Sequence, residues 1–521
     1  MRLHDILDHQ ARERPSAEFA VQGARRVSYR DALAQVNQIA NGLIAAGLEK
    51  GDRIAYLGKN SIEHALMFFG SSKAGVAPVP LNYRLAPPEL GYIVNDAQAK
   101  LLLVAADFVE AVDGIRRELG SVERVIAIDA RSRPTGWQDF SAWLADAPAT
   151  SPGREIDPED DVYQMYTSGT TGRPKGAILS HHAVTSNVIQ QMIGVPPIGS
   201  EERCLIVAPM YHAAAAVTSF LAVLGGGCLY IHEDFNPFEV VRALSEDRIT
   251  TTTLVPAMIQ ACLMMVPDVA ERRYDSLRLM GYGASPISEQ TLRRALEVFK
   301  CDFTQGYGMT ETTSALTFLN AADHRRALQD QPNLLLSAGR PLIATEVRVV
   351  DEGDEPVPSG TIGEVVGRGP QLMRGYWNLP EASAEALRGG WMHTGDAAII
   401  DEQGYLFIQD RVKDMIVSGG ENIYPREVEE VLYQHPDIAE AAVIGVPDER
   451  FGEAVKAIVV LRASVTADAE GIMDFSKGRL AGYKRPRSVD FVSALPRNPS
   501  GKVLKKELRE PYWKGHTRRV S

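Results

Sequence analysis

The chain has 521 residues, of which 45% are hydrophobic and 23% charged, the balance of an ordinary globular protein rather than a disordered one. Lys plus Arg number 55 and Asp plus Glu 67, so the formal charge is −12. This charge argues against a nucleic-acid partner, because phosphates require a basic excess. The length suggests about three domains or subdomains.

The cysteines and the N-terminus indicate a reducing compartment, and we expect a cytoplasmic protein. Four cysteines stand alone, and no pair has the CxxC spacing of a zinc site or a disulfide framework. The first 15 residues carry charges throughout and lack the apolar segment of a secretory signal.

The first 160 residues alternate between predicted strands and helices. Ser28 and Asp31 resemble a capping box at the start of a helix whose apolar residues recur every three or four positions. The segments that follow are a strand at Arg53–Leu57, a helix at Ser61–Ala74, and strands at Ala77–Pro80 and Arg124–Ile128. Such alternation favours parallel sheets covered by helices. Residues 131–161, rich in Pro, Ala, Ser and Asp, predict a surface connection.

The stretch Ala213–Ile231 carries no charge and is nearly long enough to cross a membrane. Three glycines, Gly225 to Gly227, interrupt it. The helical part before them is too short for a hydrocarbon core of about 30 Å, so we predict a buried helix followed by a buried strand.

The last ~110 residues have a compact α+β pattern, and their number is somewhat below the size of about 150 residues expected for one domain. A helix is predicted to begin at Pro425, and the apolar runs Ala441–Val446 and Ala454–Leu461 predict two strands around a turn. We place a domain boundary near Asp410–Lys413. The predicted fold class is α/β, with a large N-terminal domain (residues 1–410) of helix-covered sheets and a small α+β C-terminal domain (residues 411–521).

The strongest local motif runs from Tyr166 to Gly176 and predicts a phosphate-binding loop. Its glycines let backbone N–H groups turn toward an anion, and hydroxyls and a lysine add further donors. The spacing does not fit a Walker A loop. The candidate phosphate ligands are Thr167, Ser168, Gly169, Thr170, Thr171, Gly172 and Lys175.

Three further segments favour a nucleotide site. The turn Gly281–Pro286 has small residues that allow close approach to a flat ring. The segment Gly306–Glu311 combines backbone access, an aromatic ring, a hydroxyl and a carboxylate suited to Mg²⁺. The segment Trp391–Asp396 ends in an acid that could bind ribose hydroxyls. Each motif alone is weak, but their joint occurrence in this order is specific.

In this order of motifs the sequence resembles the adenylate-forming superfamily of acyl-CoA synthetases, peptide-synthetase adenylation domains and luciferases. The resemblance extends from Thr167 to the segment Pro496–Lys502. It implies an N-terminal domain of about 400 residues, a small mobile C-terminal domain and an active site between them. The family hinge falls at Asp410–Asp414, where the composition changes, with Lys413 as the hinge residue.

The resemblance also implies roles for single residues, with ATP, Mg²⁺ and CoA as cofactor and co-substrates. The catalytic residues would be Lys502 for adenylation, Thr310 at the α-phosphate and Glu311 at Mg²⁺. The nucleotide would be bound by Tyr307 stacked on adenine, by Gly283, Ala284, Ser285 and Gly308 around it, by Asp396 at the ribose, and by Arg411. Gly419 and Gly420 would line the pantetheine tunnel.

The acyl pocket implied by the resemblance is lined by His212, Ala213, Ala214, Gly281, Tyr282 and Gly306. An ordinary buried histidine is the alternative for His212. Tyr282 stands where smaller residues are usual. We expect its side chain to cap and shorten this acyl pocket, which is called the slot below. Because these segments contain no charge, we expect a monocarboxylate, with a medium or long fatty chain preferred over an aromatic acid such as benzoate or coumarate.

Two alternatives concern the acceptor and the class of protein. A ligase that loads a carrier protein stays open, although the absence of Asp and Glu from Arg203 to His232 disfavours an amino-acid substrate. A noncatalytic nucleotide-binding or peripheral membrane protein is the other alternative. The basic residues Lys505, Lys506, Arg509, Lys514, Arg518 and Arg519 could contact anionic lipid or CoA phosphates, although a solvated charged end is favoured. We expect a homodimer or a monomer.

Overall fold

The computed structural model describes residues 1–167, 173–195, 198–419, 421–462, 465–466, 468–497 and 502–514, and for residue 412 the backbone alone. Several candidate residues lie outside these ranges: Ser168, Gly169, Thr170, Thr171, Gly172, Gly420, Arg518 and Arg519.

The first part of the chain alternates between strands and helices as predicted. Its elements are α1 (Leu3–Glu13), β1 (Glu18–Gln22), β2 (Arg25–Ser28), α2 (Tyr29–Ala45), β3 (Arg53–Leu57), α3 (Ile62–Ala74), β4 (Ala77–Leu81), α4 (Pro87–Asp96), β5 (Leu101–Ala105), α5 (Val109–Ile115), β6 (Arg124–Ile128), β7 (Gln138–Asp139), α6 (Phe140–Ala145) and β8 (Asp161–Thr167). The Ser28 hydroxyl caps α2 by accepting a bond from the Asp31 N–H at 3.2 Å.

The middle of the chain continues this alternation and then becomes strand-rich. The elements are β9 (Lys175–Ser180), α7 (His181–Gly194), β10 (Arg203–Ile206), α8 (Ala213–Leu224), β11 (Cys228–Ile231), α9 (Pro237–Glu246), β12 (Thr251–Leu254), α10 (Pro256–Met265), β13 (Leu279–Gly283), α11 (Glu289–Phe299), β14 (Asp302–Tyr307), β15 (Thr317–Leu319), α12 (Ala321–Gln329), β16 (Arg340–Pro341), β17 (Glu346–Val350), β18 (Gly363–Arg368), β19 (Gly375–Tyr376), α13 (Pro380–Ala386), β20 (Met392–Ile400) and β21 (Leu406–Arg411). The predicted helix and strand of Ala213–Ile231 are therefore α8 and β11.

The last segment has the predicted α+β pattern. Its elements are β22 (Ile416–Ser418), β23 (Glu421–Ile423), α14 (Pro425–Leu432), β24 (Ile438–Asp448), β25 (Gly452–Leu461), α15 (Ala469–Phe475), β26 (Ser488–Phe491) and α16 (Lys505–Trp513). Strands β22 to β26 form their own sheet, separate from the sheet that ends with β21. The fold class is confirmed, whereas the boundary at Asp410–Lys413 and the mobility of the C-terminal domain stay predictions.

Two large sheets carry most of the first 340 residues. Strands β4, β3, β5, β6 and β7 form a wholly parallel sheet, and a nine-stranded sheet has the order β16-β15-β14-β13-β12-β10-β11-β1-β2. The strands from β14 to β1 in that order are parallel. The largest apolar core lies between these sheets and helices α1, α2, α3, α7 and α8.

Smaller sheets complete the part of the chain that surrounds the candidate site. Strands β17, β18, β20 and β21 form an antiparallel sheet, and β8 and β9 form a hairpin with β19 along its edge. Every helix among the described residues is too short or too polar to cross a membrane.

Candidate active site

One cavity of about 1140 Å³ brings most of the predicted site residues together. It includes the carboxyl ends of β13 and β14, where ligands of parallel sheets usually bind, and continues along the sheet to Leu279 at the start of β13. The predicted residues that line it are Thr167, Lys175, His212, Ala213, Ala214, Gly281, Tyr282, Gly283, Ala284, Gly306, Gly308, Thr310, Glu311, Arg411, Lys413 and Lys502.

Behind this lining, a buried network fixes Asp396. The Tyr307 hydroxyl donates to Oδ2 of Asp396 at 2.8 Å, and Nε of Arg411 lies 2.8 Å from Oδ1. The guanidinium of Arg411 also donates to the Thr394 carbonyl at 2.9 Å, across the β20–β21 ladder that pairs Asp396 with Arg411. Burial raises the pKa of Tyr307 well above its ordinary value, so the phenol stays a donor. The two oxygens of Asp396 are therefore held in a fixed orientation.

Glu311 is the carboxylate predicted to bind Mg²⁺, and it is 96% buried in the turn after β14. Burial raises its pKa, while hydrogen bonds from Tyr376 and Thr167 act in the opposite direction. Mg²⁺ prefers oxygen ligands and commonly combines one or two carboxylates with substrate phosphates. The carboxylate of Glu311 and the hydroxyl of Thr167 fit that chemistry. No group of three His, Cys, Asp or Glu that could hold a metal by itself occurs among the described residues.

Tyr376 belongs to the site and was missed by the sequence analysis. Its hydroxyl donates to Oε1 of Glu311 at 2.8 Å, and Nζ of Lys175 lies 4.9 Å from the centre of its ring. Strand β19 pairs with β9 directly after the phosphate segment, and the Met373 N–H donates to the Glu311 carbonyl at 2.8 Å. This short strand therefore connects the phosphate segment to the predicted metal ligand.

Cationic side chains form one wall of the cavity. Burial lowers the pKa of Lys502, and the nearby Arg411 lowers it further. Burial likewise lowers the pKa of Lys413 to about 8, with Arg411 and Lys502 among the smaller causes. The predicted catalytic lysine and the predicted hinge lysine thus line the same cavity, close enough to repel each other.

Part of the basic C-terminal segment is occupied by ion pairs. The Lys505 ammonium lies 3.0 Å from Asp410 and 3.0 Å from Glu429, and Arg509 lies 2.7 Å from Asp414. Both basic side chains are nearly buried, 13% and 12% exposed respectively. Lys505 and Arg509 are therefore engaged with carboxylates while they line the cavity, and contact of the basic segment with lipid or CoA phosphates stays a prediction.

The acid side of the cavity lies on one face of the nine-stranded sheet. Gly281 and Gly283 of β13 face it, together with Thr253 of β12 and Thr304 of β14, because side chains alternate along a strand. A Cβ on Gly283 would lie 2.3 Å from the Gly306 carbonyl oxygen, so only glycine fits there. The glycines leave a flat floor of backbone opposite helix α8.

Tyr282 does not cap the slot, so that expectation is wrong. Its side chain is 3% exposed and packs in the core on the other face of the sheet. The hydroxyl shares a hydrogen bond with Nε2 of His324 at 2.9 Å, and its ring packs near Phe303. The alternation that directs the two flanking glycines to the slot directs Tyr282 away from it.

His212 forms part of the slot wall at the N-terminus of α8. Burial lowers its pKa to about 4, so the ring is neutral near pH 7. Its Nε2 has no hydrogen-bond partner among the described residues, and its ring lies 4.5 Å from that of Tyr211. A neutral ring suits an apolar wall.

The slot runs along the face of the sheet toward the start of β13. The cavity lining there includes a row of Cys204, Thr251 and Leu279. One residue further back on these strands, Thr250 and Arg278 both bond to the carboxylate of Glu202. From the Gly283 row to the Leu279 row is four residues, or about 13 Å at 3.3 Å per residue.

Besides Tyr307 and Asp396, which lie behind the lining, two more of the described site residues are outside it. Ser285 follows the turn at Ala284 but is not part of the lining. Gly419 has a φ of +63° and donates its N–H to the Phe451 carbonyl at 2.8 Å, on the C-terminal sheet. The tunnel role of Gly419 stays a prediction.

The comparisons with known proteins agree with this arrangement. Residues 7–377 match the family described as AMP-binding enzyme, and residues 427–502 match the AMP-binding enzyme C-terminal domain. The chain therefore belongs to the AMP-binding enzymes, in the acyl-CoA synthetase branch of the adenylate-forming superfamily. It is an AMP-forming acid–thiol ligase that acts through an acyl-adenylate.

Similar proteins act on different acids. A feruloyl-CoA synthase from Amycolatopsis sp is 40% identical, covering 96% of this chain and 97% of that protein. The fatty acid–[acyl-carrier-protein] ligase ScoC from Streptomyces coeruleorubidus is 36% identical over 98% and 96%, respectively. The long-chain-fatty-acid–CoA ligase FadD13 from Mycobacterium tuberculosis is 37% identical over 94% and 93%.

A solved structure is also similar over nearly its whole length. The anthranilate CoA ligase AuaEII, in complex with anthranoyl-AMP, superposes with a TM-score of 0.92 at 28% identity, covering 99% of this chain and 98% of that one. Both aromatic acids and fatty acids are thus named as substrates of similar proteins.

Proposed function

We propose that this enzyme joins a monocarboxylic acid, whose body beyond the carboxylate is uncharged and fits the slot, to coenzyme A. The observation that carries the proposal is one cavity in which an uncharged slot meets Glu311, Arg411 and Lys502. The described residues along the slot include no cation that could pair with a second carboxylate, so a dicarboxylate is disfavoured.

The site residues have separate tasks in the first step, in which the acid's carboxylate attacks the α-phosphate of ATP and pyrophosphate leaves. Lys502 would stabilise the negative charge that develops there, and Lys175 would hold the leaving phosphates. Asp396 would accept hydrogen bonds from the ribose hydroxyls. When bound, Mg²⁺ would neutralise phosphate charge, with Glu311 and Thr167 as its protein ligands.

The acid that the geometry supports best is an aromatic acid with a short chain. Gly281 and Gly283 leave room for a ring against β13, and the Phe318 ring beside Gly306 adds an aromatic surface to the cavity. The feruloyl-CoA synthase and the anthranilate ligase among the similar proteins support this choice.

A medium-chain fatty acid is the second candidate. The alanines of α8 at the slot, Ala213 to Ala215, make a smooth apolar wall. Each buried CH₂ contributes about 0.8 kcal/mol, so kcat/KM would rise roughly fourfold per carbon until the slot is full. The similarity to FadD13 and ScoC supports this candidate.

The test is AMP release and thioester formation with benzoate, coumarate, acetate, hexanoate and dodecanoate. We expect a maximum at coumarate. A monotonic rise to dodecanoate would replace the aromatic acid by the fatty acid. Adenylate formation without acyl-CoA, followed by acylation of a carrier protein, would replace the CoA acceptor.

A further inference from the structure

One row of the nine-stranded sheet places a hydroxyl on each side of a glycine inside the slot. Thr253 of β12 pairs with Gly281 of β13, and Gly281 pairs in turn with Thr304 of β14. Residues paired across parallel strands direct their side chains to the same face of the sheet, and all three line the cavity. Because Gly281 has no side chain, the row contains a gap with a threonine on either side.

The Thr253 hydroxyl is turned toward this gap. A Cβ on Gly281 would lie 2.8 Å from the Thr253 Oγ1. The hydrogen-bond partner of that oxygen among the described residues is the Oγ1 of Thr218, at 3.4 Å. The Thr218 proton is used by the Ala214 carbonyl at 2.8 Å, so the contact between the two hydroxyls is weak. The Thr253 hydroxyl therefore keeps capacity to donate and to accept a hydrogen bond inside the slot.

The Thr304 hydroxyl has unused capacity as well. The residue is 4% exposed, and within the described part of the chain its hydroxyl makes no hydrogen bond. Unlike the Thr251 hydroxyl, which is enclosed, it keeps surface that faces the cavity. A nearly buried hydroxyl without a partner costs free energy, and an oxygen atom of a bound molecule would remove that cost.

The position of this row determines which part of a bound acid it meets. The row lies two residues behind the paired Gly283 and Gly306, or about 7 Å at 3.3 Å per residue. Neighbouring strands are about 4.8 Å apart, so the backbones of Thr253 and Thr304 are about 10 Å apart. A six-membered ring that lies along β13 over Gly281 fits between them. A para substituent on that ring points along β13, whereas a meta substituent points across the sheet toward β12 or β14.

We propose that Thr253 and Thr304 bind an oxygen at the meta position of an aromatic monocarboxylic acid and thereby determine specificity among ring-substituted acids. This inference rests on the proposed function and specifies its substrate class, an acid whose ring carries a meta hydroxyl or alkoxy group. A phenol can donate to either threonine or accept from it, and an ether oxygen can accept. An unsubstituted ring would cover both hydroxyls without replacing their hydrogen bonds to water.

The experiment compares kcat/KM for thioester formation from 3-hydroxycinnamate, 4-hydroxycinnamate and cinnamate. Sites built to bond a substrate hydroxyl reject the analogue that lacks it more strongly than apolar pockets reject an added group. One hydrogen bond made inside the slot corresponds to roughly a tenfold gain in kcat/KM. The 4-hydroxyl isomer has the same composition and tests whether the position of the oxygen matters.

The variants separate the hydroxyls from the packing. The double variant Thr253→Val with Thr304→Val removes both oxygens and keeps the shape, whereas the corresponding double serine variant keeps both oxygens. The two valine substitutions are also made singly, so that a folded protein is available if the double variant is unstable. Thr185→Val is the matched control, because this buried threonine of α7 is outside the cavity lining and donates to the His181 carbonyl at 2.9 Å. Melting temperatures and kcat/KM for cinnamate report on the fold.

We expect the natural enzyme to prefer 3-hydroxycinnamate over cinnamate by about tenfold, and 4-hydroxycinnamate over cinnamate by less. Each single valine variant should lower that preference, and the double valine variant should abolish it while keeping kcat/KM for cinnamate. The serine variant and Thr185→Val should keep the preference.

Three results would overturn the inference and leave the proposed function intact: equal kcat/KM for 3-hydroxycinnamate and cinnamate, a larger preference for the 4-hydroxyl isomer, or a preference that survives the double valine variant. Thioester formation from hexanoate or dodecanoate but from none of the cinnamates would overturn the inference together with the choice of an aromatic acid. Thioester formation from no acid at all would overturn the proposed function as well.

Discussion

Removal of the Tyr376 hydroxyl tests how the predicted metal ligand is held. Tyr376→Phe keeps the ring beneath Lys175 and removes the bond of 2.8 Å to the Glu311 carboxylate. A hydrogen bond to a charged group contributes about 1.5–3 kcal/mol, and loss of a partner that orients a metal ligand typically costs about 10- to 100-fold in metal affinity. Because Glu311 keeps the Thr167 bond, we expect the lower part of that range.

The assay follows pyrophosphate release at saturating ATP while Mg²⁺ is varied, and calorimetry of ATP binding with and without Mg²⁺ gives a second readout. We expect about a tenfold rise in the Mg²⁺ concentration for half-maximal rate, with binding of metal-free ATP nearly unchanged. Tyr274→Phe is the matched control, since that phenol donates to the Val269 carbonyl far from the cavity lining. Superimposable Mg²⁺ titrations for Tyr376→Phe and the natural enzyme would refute the reasoning.

Three further predictions concern other parts of the molecule. Lys502→Ala should lower adenylate formation by about 10²–10³ or more and leave the reaction of synthetic acyl-adenylate with CoA largely intact; equal loss in both half-reactions would contradict its role. Lys413→Pro fixes φ near −65°. It should spare adenylation and sharply reduce thioester formation, and unchanged overall turnover would remove the hinge prediction. His64 is fully buried, and burial lowers its pKa to about 3. The unfolded chain therefore takes up the proton first, and stability falls as the pH drops from about 6.5 toward 3. The loss is about 2 kcal/mol at pH 5, so urea unfolding of His64→Phe should show a correspondingly flatter pH dependence, and an unchanged slope would contradict the burial effect.

The regular elements could be predicted because their signals are local. Arg124–Ile128 is a strand with the predicted bounds, and the helix predicted at Ser61–Ala74 begins one residue later, with Ser61 as its cap. The apolar periodicity and the capping residues determine these elements whatever surrounds them.

The sequence alone is enough to predict on which face of the sheet the Tyr282 side chain lies. Once Gly281 and Gly283 are placed facing the slot, the alternation of a strand requires Tyr282 to face the opposite side. The role of Tyr376 was not available in the same way. It lies 65 residues from Glu311 in the chain, and only the pairing of β19 with β9 brings the two together. A glycine followed by two aromatic residues is a weak signal for such a contact.

The ion pairs of Lys505 would affect how fast the C-terminal domain rotates about the predicted hinge at Lys413. One ammonium serves Asp410, before the predicted hinge, and Glu429, after it. Rotation would separate Asp410 from Lys505 and from the Arg426 N–H, since both move with Glu429. The nearly buried carboxylate would keep the Arg411 N–H at 2.7 Å as a donor. Breaking a buried pair costs about 3–5 kcal/mol unless water replaces the lost partner. The pair would then act as a latch, and its opening would contribute to the activation barrier between the two half-reactions.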